Sequence, residues 1–155
     1  MLHIGDKAPD FTLRASDKSQ VSLRDFRGQN VVVLFFPAAF TGVCTKELCA
    51  LRDGLSEYQG LNAQVLAISV DSLFVLQKWK EEQGFNFPML SDFNKTASKK
   101  YATLYQEFVF EMKGVSKRSA FVIDKEGIVR YAEVLDNAGD MPDFGAVKKT
   151  LASLN

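Results

Sequence analysis

Val31-Val-Val-Leu-Phe-Phe36-Pro37-Ala-Ala-Phe-Thr41-Gly-Val-Cys44-Thr-Lys-Glu47-Leu-Cys49 is the stretch whose reading decides the fold. Its first six residues are all apolar and rich in β-formers. That pattern predicts a strand buried on both faces, as in a parallel sheet. After Pro37 the period changes. Cys44, Leu48, Leu51, Leu55 and Tyr58 recur at helical spacing on one stripe, and Gly60 ends that helix. Val65-Leu-Ala-Ile-Ser-Val70 reads as a second buried strand. Strand, helix and strand in so short a span predict a parallel βαβ crossover. Cys44 then stands just past the carboxyl end of a central strand, where open α/β sheets place their sites.

Working outward, Asp71-Ser72 supplies an N-cap for a helix ending before Gly84. Phe87-Pro88-Met-Leu90 reads as a short extended link, because Pro88 disfavours helix at Phe87. Ser91-Asp92 caps a short helix through Tyr101, and Glu107 to Met112 reads as a small strand. Ala120–Asp124 and Ile128–Val134 flank Lys125-Glu-Gly127, which is a hairpin signal and makes one strand pair antiparallel. Towards the N-terminus, Phe11–Leu13 and Val21–Leu23 read as a small hairpin or two edge strands, followed by a turn over Arg24–Asn30. At the other end Pro142 sits in the first turn of a helix carrying Phe144, Val147, Leu151 and Leu154 on one stripe. The fold class is α/β, a central mixed β-sheet flanked by helices with a short N-terminal hairpin. Residues 1–155 form one domain, without internal repeat, low-complexity stretch or linker.

Composition narrows the function. The chain has 155 residues, 46% hydrophobic and 25% charged, so it can bury a real core. Lys+Arg and Asp+Glu both total 19, a balance that argues against nucleic acid or an anionic membrane as partner. Met1-Leu-His-Ile-Gly-Asp-Lys7 has no signal-peptide core, and the longest apolar runs are far short of a membrane span. The expected compartment is therefore the cytoplasm, where disulfides are transient or catalytic. Two cysteines and one histidine do not supply a zinc cluster, and His3 lies outside any motif, so a metal site and a Cys-His hydrolase are both disfavoured. No cofactor is expected.

Cys44 and Cys49 are the only cysteines, five residues apart and so not the CxxC of a disulfide reductase. Cys44 opens a helix, where backbone N–H groups favour a thiolate. It lies within about 40° of the apolar stripe and points to the core side, while Cys49 lies about 140° from it and nearer solvent. On an intact helix their Cα atoms stand about 8 to 9 Å apart. A disulfide needs them closer than about 7 Å. The two sulfurs can therefore bond only if the first helical turns unwind. An oxidised Cys44, as sulfenic acid, would then condense with Cys49 to a disulfide and water. The bland alternative is inert packing, the usual fate of a buried cysteine.

The neighbouring residues each have two readings. The Thr41 hydroxyl either caps the helix or hydrogen-bonds a substrate oxygen beside the sulfur. Pro37 either ends the strand or shields the thiolate from water. Glu47 is an ordinary first-turn acid; next to a working thiolate, it requires an Arg close by. Arg118, ahead of the strand Ala120–Asp124, is either a solvated strand end or the missing cation.

Pro37-x-x-x-Thr41-x-x-Cys44 resembles the active-site signature of the peroxiredoxins, thiol peroxidases of thioredoxin-like fold. Gly5-Asp-Lys-Ala-Pro9-Asp-Phe11-Thr-Leu13 resembles that family's opening, and Lys117-Arg118-Ser-Ala-Phe-Val-Ile-Asp124-Lys-Glu-Gly127 its Arg-bearing strand, so the likeness spans nearly the whole chain. The resemblance implies that Cys44 is the peroxidatic thiol, that Thr41 orients the peroxide and that Arg118 stabilises thiolate and transition state. It further implies that Pro37 covers the site and that Glu47 bonds the Arg. Cys49 matches the resolving thiol of the peroxiredoxin Q branch, whereas Phe40-Thr-Gly-Val-Cys44 through Arg52-Asp53 looks as much like the alkyl hydroperoxide reductase E branch. The substrates implied are hydrogen peroxide and organic hydroperoxides, the reductant thioredoxin or a glutaredoxin-like donor, and the assembly a homodimer. Competing readings are a one-cysteine peroxidase using an external thiol, a thiol-based redox sensor, a thioredoxin-like disulfide reductase and a structural domain.

Overall fold

A computed structural model describes residues 1–155. In chain order the strands are β1 (Thr12–Ala15), β2 (Gln20–Ser22), β3 (Asn30–Phe35), β4 (Ala63–Ser69), β5 (Met89–Ser91), β6 (Ser119–Ile123) and β7 (Val129–Val134). The helices are α1 (Gly42–Asp53), α2 (Leu55–Gly60), α3 (Leu73–Gln83), α4 (Thr96–Lys100) and α5 (Phe144–Ser153). One mixed sheet of seven strands runs β2-β1-β5-β4-β3-β6-β7. β3, β4 and β5 are parallel, while β1 and β6 flank them antiparallel.

The all-apolar run becomes the centre of the sheet because both of its faces are covered. Every residue of β3 is buried. Val32, Leu34 and Phe36 enter one core with α1, α3 and α5, while Val31, Val33 and Phe35 enter a second core on the opposite face with Tyr101 and Phe121. This is the two-residue alternation of a pleated strand. β4 divides likewise, Val65 and Ala67 against Leu66 and Ile68.

The N-terminal hairpin forms with Leu13 opposite Val21. The β6–β7 hairpin turns through Gly127, whose φ of 87° is disfavoured for residues with a Cβ. Ser72 caps α3 by accepting from the Val75 N–H at 3.4 Å, and Gly84 at φ 64° ends it in the left-handed conformation. The Asp92 carboxylate accepts the Ala97 and Ser98 amides at the start of α4.

Four local expectations need correction. The single helix through Gly60 is two, broken at Gly54, the residue with the greatest backbone freedom in the run; Leu55 and Tyr58 still reach the same core. The extended link after Pro88 is the strand β5, because Leu90 pairs with both Ile68 and Ala15. Residues 107–112 form no strand. Phe110 and Glu111 both have positive φ, so the chain reverses in a tight left-handed turn over Val109–Glu111, closed by a Phe108–Met112 bridge. Pro142 precedes α5 rather than entering its first turn; Asp143 is the N-cap and accepts from the Ala146 N–H at 3.0 Å. No helix is long and apolar enough to cross a membrane.

Candidate active site

Cys44 is the third residue of α1. The first intrahelical bond runs from the Thr45 N–H to the Thr41 carbonyl at 2.9 Å. The amides of Gly42, Val43 and Cys44 therefore have no acceptor within the helix, and they present the positive end of its dipole beside the sulfur. The Cys44 side chain is 1% exposed and belongs to the same core as Leu48, Leu51, Ala120 and Val122.

Arg118 reaches this thiol from the start of β6, the neighbour of β3 in the sheet. β6 lies antiparallel to β3 with Ser119 opposite Phe35, so Arg118 falls beside Phe36 at the carboxyl end of β3. Its backbone carbonyl accepts from the Leu135 N–H at 2.9 Å, which ties it to the end of β7. From there Nη1 donates to Cys44 Sγ at 3.4 Å and to Glu47 Oε1 at 2.6 Å, and Nη2 donates to the Ala138 carbonyl at 3.0 Å. Arg118 is 1% exposed and Glu47 is fully buried. A helix turn places Glu47 three residues after Cys44 on the same side, so one guanidinium meets both.

The charges are not fully compensated. Burial pushes the Glu47 carboxyl up from 4.5 to about 7, against the opposing pull of Arg118. Burial disfavours the Arg118 cation too, but Glu47 and the Cys44 sulfur outweigh it and hold Arg118 above its usual range. Glu47 Oε2 and Arg118 Nε are buried without hydrogen-bond partners. Such a pair is poor at stabilising a fold. It is well suited to placing a fixed positive charge against one sulfur in a low-dielectric setting.

Pro37 is buried at the end of the strand. Thr41 is the N-cap residue, yet its hydroxyl does not cap; it donates to the Ala38 carbonyl at 2.7 Å. Cys49 is half-buried on the other side of α1, where its thiol donates to Gln83 Oε1 of α3 at 3.5 Å. Both cysteines are free, and α1 is continuous through them. The structure thus gathers Cys44, Glu47 and Arg118 and sets Pro37 and Thr41 at the entry to α1. It holds Cys49 apart. No three His, Cys, Asp or Glu side chains converge as metal ligands.

Sequence reasoning missed the Ala138 carbonyl and Tyr105. Burial pushes Tyr105 up, opposed by Lys117 and Arg118, with Asp136 and Cys44 adding to the rise. Its hydroxyl donates to the Asp136 carbonyl at 2.9 Å, and the Lys117 ammonium sits 5.7 Å from its ring centre. Tyr105, Lys117 and Asp136 line an open cleft of about 780 Å3. A lone Tyr in an irregular segment carries no spacing signal that would have marked it.

Residues 4–132 match the AhpC/TSA family. The chain is 41% identical over 157 residues to alkyl hydroperoxide reductase E of Mycobacterium bovis, covering 99% of each. It is 35% identical over 162 residues to the chloroplastic 2-Cys peroxiredoxin BAS1 of Spinacia oleracea, covering 97% of this chain and 59% of that protein. Among solved structures, peroxidoxin BcpB from Mycobacterium tuberculosis superposes with a TM-score of 0.84 at 29% identity, covering 99% of this chain and 97% of that one. A peroxiredoxin-like protein from Aquifex aeolicus gives 0.89 at 25% identity, covering 99% and 88%. With its thioredoxin-like sheet and its thiol held against a buried arginine, the chain belongs to the AhpC/TSA family and is a peroxidase of the peroxiredoxin type.

Proposed function

We infer that Cys44 is the peroxidatic thiol and Cys49 its resolving partner. The observation that carries the reading is the contact of 3.4 Å between Arg118 Nη1 and Cys44 Sγ, made by a cation 1% exposed. In this reading the Cys44 thiolate attacks one oxygen of a hydroperoxide. The S–O bond forms as the O–O bond breaks, and the other oxygen leaves, protonated, as water or an alcohol. Arg118 and the free amides of the first turn of α1 face the charge that develops on the peroxide oxygens. Thr41 orients the peroxide, Pro37 keeps water off the sulfur, and Glu47 holds Arg118.

The product is a sulfenic acid. The Cys49 sulfur then attacks the Cys44 sulfur, the S–S bond forms, and the hydroxyl departs as water. This step requires the first turns of α1 to unwind, because on the intact helix the two Cα atoms stand about 8 to 9 Å apart. A dithiol donor of the thioredoxin or glutaredoxin kind returns both thiols by exchange.

Two variants test the assignment. Cys44→Ser abolishes peroxide reduction; an active Cys44→Ser protein refutes the reading. Cys49→Ser retains the first oxidation and loses turnover with thioredoxin. Peptide mass spectrometry after one equivalent of peroxide finds a Cys44–Cys49 crosslink in the parent chain. Full turnover by Cys49→Ser, without that crosslink, favours a one-cysteine peroxidase resolved by an external thiol.

A further inference from the structure

We propose that Asp71 is a positioning residue for peroxide reduction: its carboxylate holds the Ala39 amide and so fixes the turn over Pro37–Thr41 that frames Cys44. The proposal rests on the assignment of Cys44 and Thr41 above. Asp71 lies between β4 and α3, 32 residues from Ala39 in sequence. Its Oδ2 accepts the Ala39 N–H at 2.8 Å and the Ser69 hydroxyl at 2.7 Å. The carboxylate is itself held. Ser69 is fully buried, and its Oγ also accepts the Asp71 N–H at 3.2 Å. The Asp71 carbonyl accepts from the Ser91 hydroxyl at 2.6 Å, so β4 and β5 both anchor the residue.

The turn needs an external hold. The last ladder bond before it runs from the Phe36 N–H to the Ile68 carbonyl. Beyond that point, within residues 37–41, the Ala39 N–H is the one backbone donor with a hydrogen-bond partner. Phe40 adopts φ 63°, a left-handed conformation that a bulky aromatic residue does not prefer. The Phe40 ring rests 6.0 Å from that of Trp79, on α3, and remains 51% exposed. The turn is thus pinned to the β4–α3 unit at two points, and the polar point is Asp71. Thr41, two residues on, presents its hydroxyl from this frame. Asp71 touches neither sulfur nor peroxide and acts through Ala39 alone.

The test separates peroxide geometry from thiol reactivity. Iodoacetamide alkylation reads how available the Cys44 sulfur is, which depends on Arg118. Single-turnover peroxide reduction also needs the Thr41 hydroxyl in place. Asp71→Ala is expected to slow peroxide reduction about 10- to 100-fold, the scale of a displacement near 1 Å. Alkylation should stay within about 3-fold of the parent, since no contact to the sulfur is removed. Asp71→Asn, whose amide oxygen accepts both bonds, recovers most of the peroxide rate. Ser69→Ala frees the carboxylate and gives a smaller loss with the same split; it decides the matter if Asp71→Ala does not fold. Parental peroxide rates in Asp71→Ala, an Asp71→Asn protein as slow as Asp71→Ala, or peroxide and alkylation rates falling together would each overturn the proposal. An inactive Cys44→Ser protein beside a fully active Asp71→Ala protein sinks this proposal alone, whereas an active Cys44→Ser protein sinks the site assignment beneath it.

Discussion

Arg118–Glu47 and Arg130–Asp124 are arginine–carboxylate pairs of nearly the same length, 2.6 and 2.7 Å, and they have opposite consequences. Glu47 is fully buried and is pushed up to about 7 by that burial. Burial also opposes the charge on Asp124, but the Ile128 N–H, the Arg130 guanidinium and the Glu126 N–H outweigh it and hold that carboxyl below its usual range. Asp124 accepts three donors, while Glu47 accepts one and leaves Oε2 unpartnered. Contact distance alone therefore says little about what a pair does. The number of donors and the access to water separate a hairpin brace from a charged site kept short of compensation. The β6–β7 turn spends its ion pair on shape, whereas α1 and β6 hold theirs against a sulfur.

The sharpest way to break this contrast is to remove each arginine. Arg118→Ala should slow single-turnover peroxide reduction about 100- to 1000-fold, the scale for losing one preorganised donor at developing charge. Stopped-flow mixing with hydrogen peroxide measures it, and a rate near the parent's removes Arg118 from the chemistry. Glu47→Gln should have a smaller kinetic effect, about 10-fold, because Arg118 keeps its charge and loses only its brace.

The same variant tests the pH dependence. A carboxyl raised from 4.5 to about 7 binds its proton more tightly in the folded protein than in the unfolded chain. Its stabilising contribution is complete below about pH 4.5 and is lost as pH rises through about 7. Urea midpoints of the parent should therefore fall, relative to those of Glu47→Gln, between about pH 4.5 and about 7. Parallel curves would show that Glu47 does not titrate in that window.

The smallest effect belongs to the hairpin. The Arg130 side chain is 42% exposed, so Arg130→Ala should cost less than about 1 kcal/mol and leave peroxidase activity unchanged. Asp124→Ala also removes the acceptor of two turn amides and should cost about 1 to 2 kcal/mol. Because the Asp124 carboxyl is held below its ordinary 3.8, its contribution is present above that value and fades in acid as pH falls through the lowered one. Chemical denaturation reads both; a larger loss from Arg130→Ala than from Asp124→Ala would reverse the account.

Legibility in the sequence followed the range of the interaction. The apolar run of β3 and the stripe Cys44, Leu48, Leu51 announce strand and helix, since each depends on neighbours a few residues away. Cys44 at the start of α1 and Glu47 one turn on follow from that reading. The break at Gly54 did not, because the stripe continues across it into the same core. Nor did β5: three residues after a proline look like a linker until two neighbouring strands supply their ladders. Asp71 and Ser72 read together as a capping pair, yet only Ser72 caps; Asp71 turns back to Ala39.

The amino-acid order by itself determined the βαβ unit and a thiol at the head of a helix. It also set the spacing of five residues that keeps Cys44 and Cys49 apart on an intact α1. Those are properties of periodicity and helical geometry, which are local. Residue order and periodicity could not place Arg118, 74 residues from Cys44. Its position comes from β6 entering antiparallel beside β3 in the register that sets Ser119 opposite Phe35. Strand pairing of that kind is chosen by the burial of both sheet faces at once, and only the assembled fold brings the cation to the sulfur.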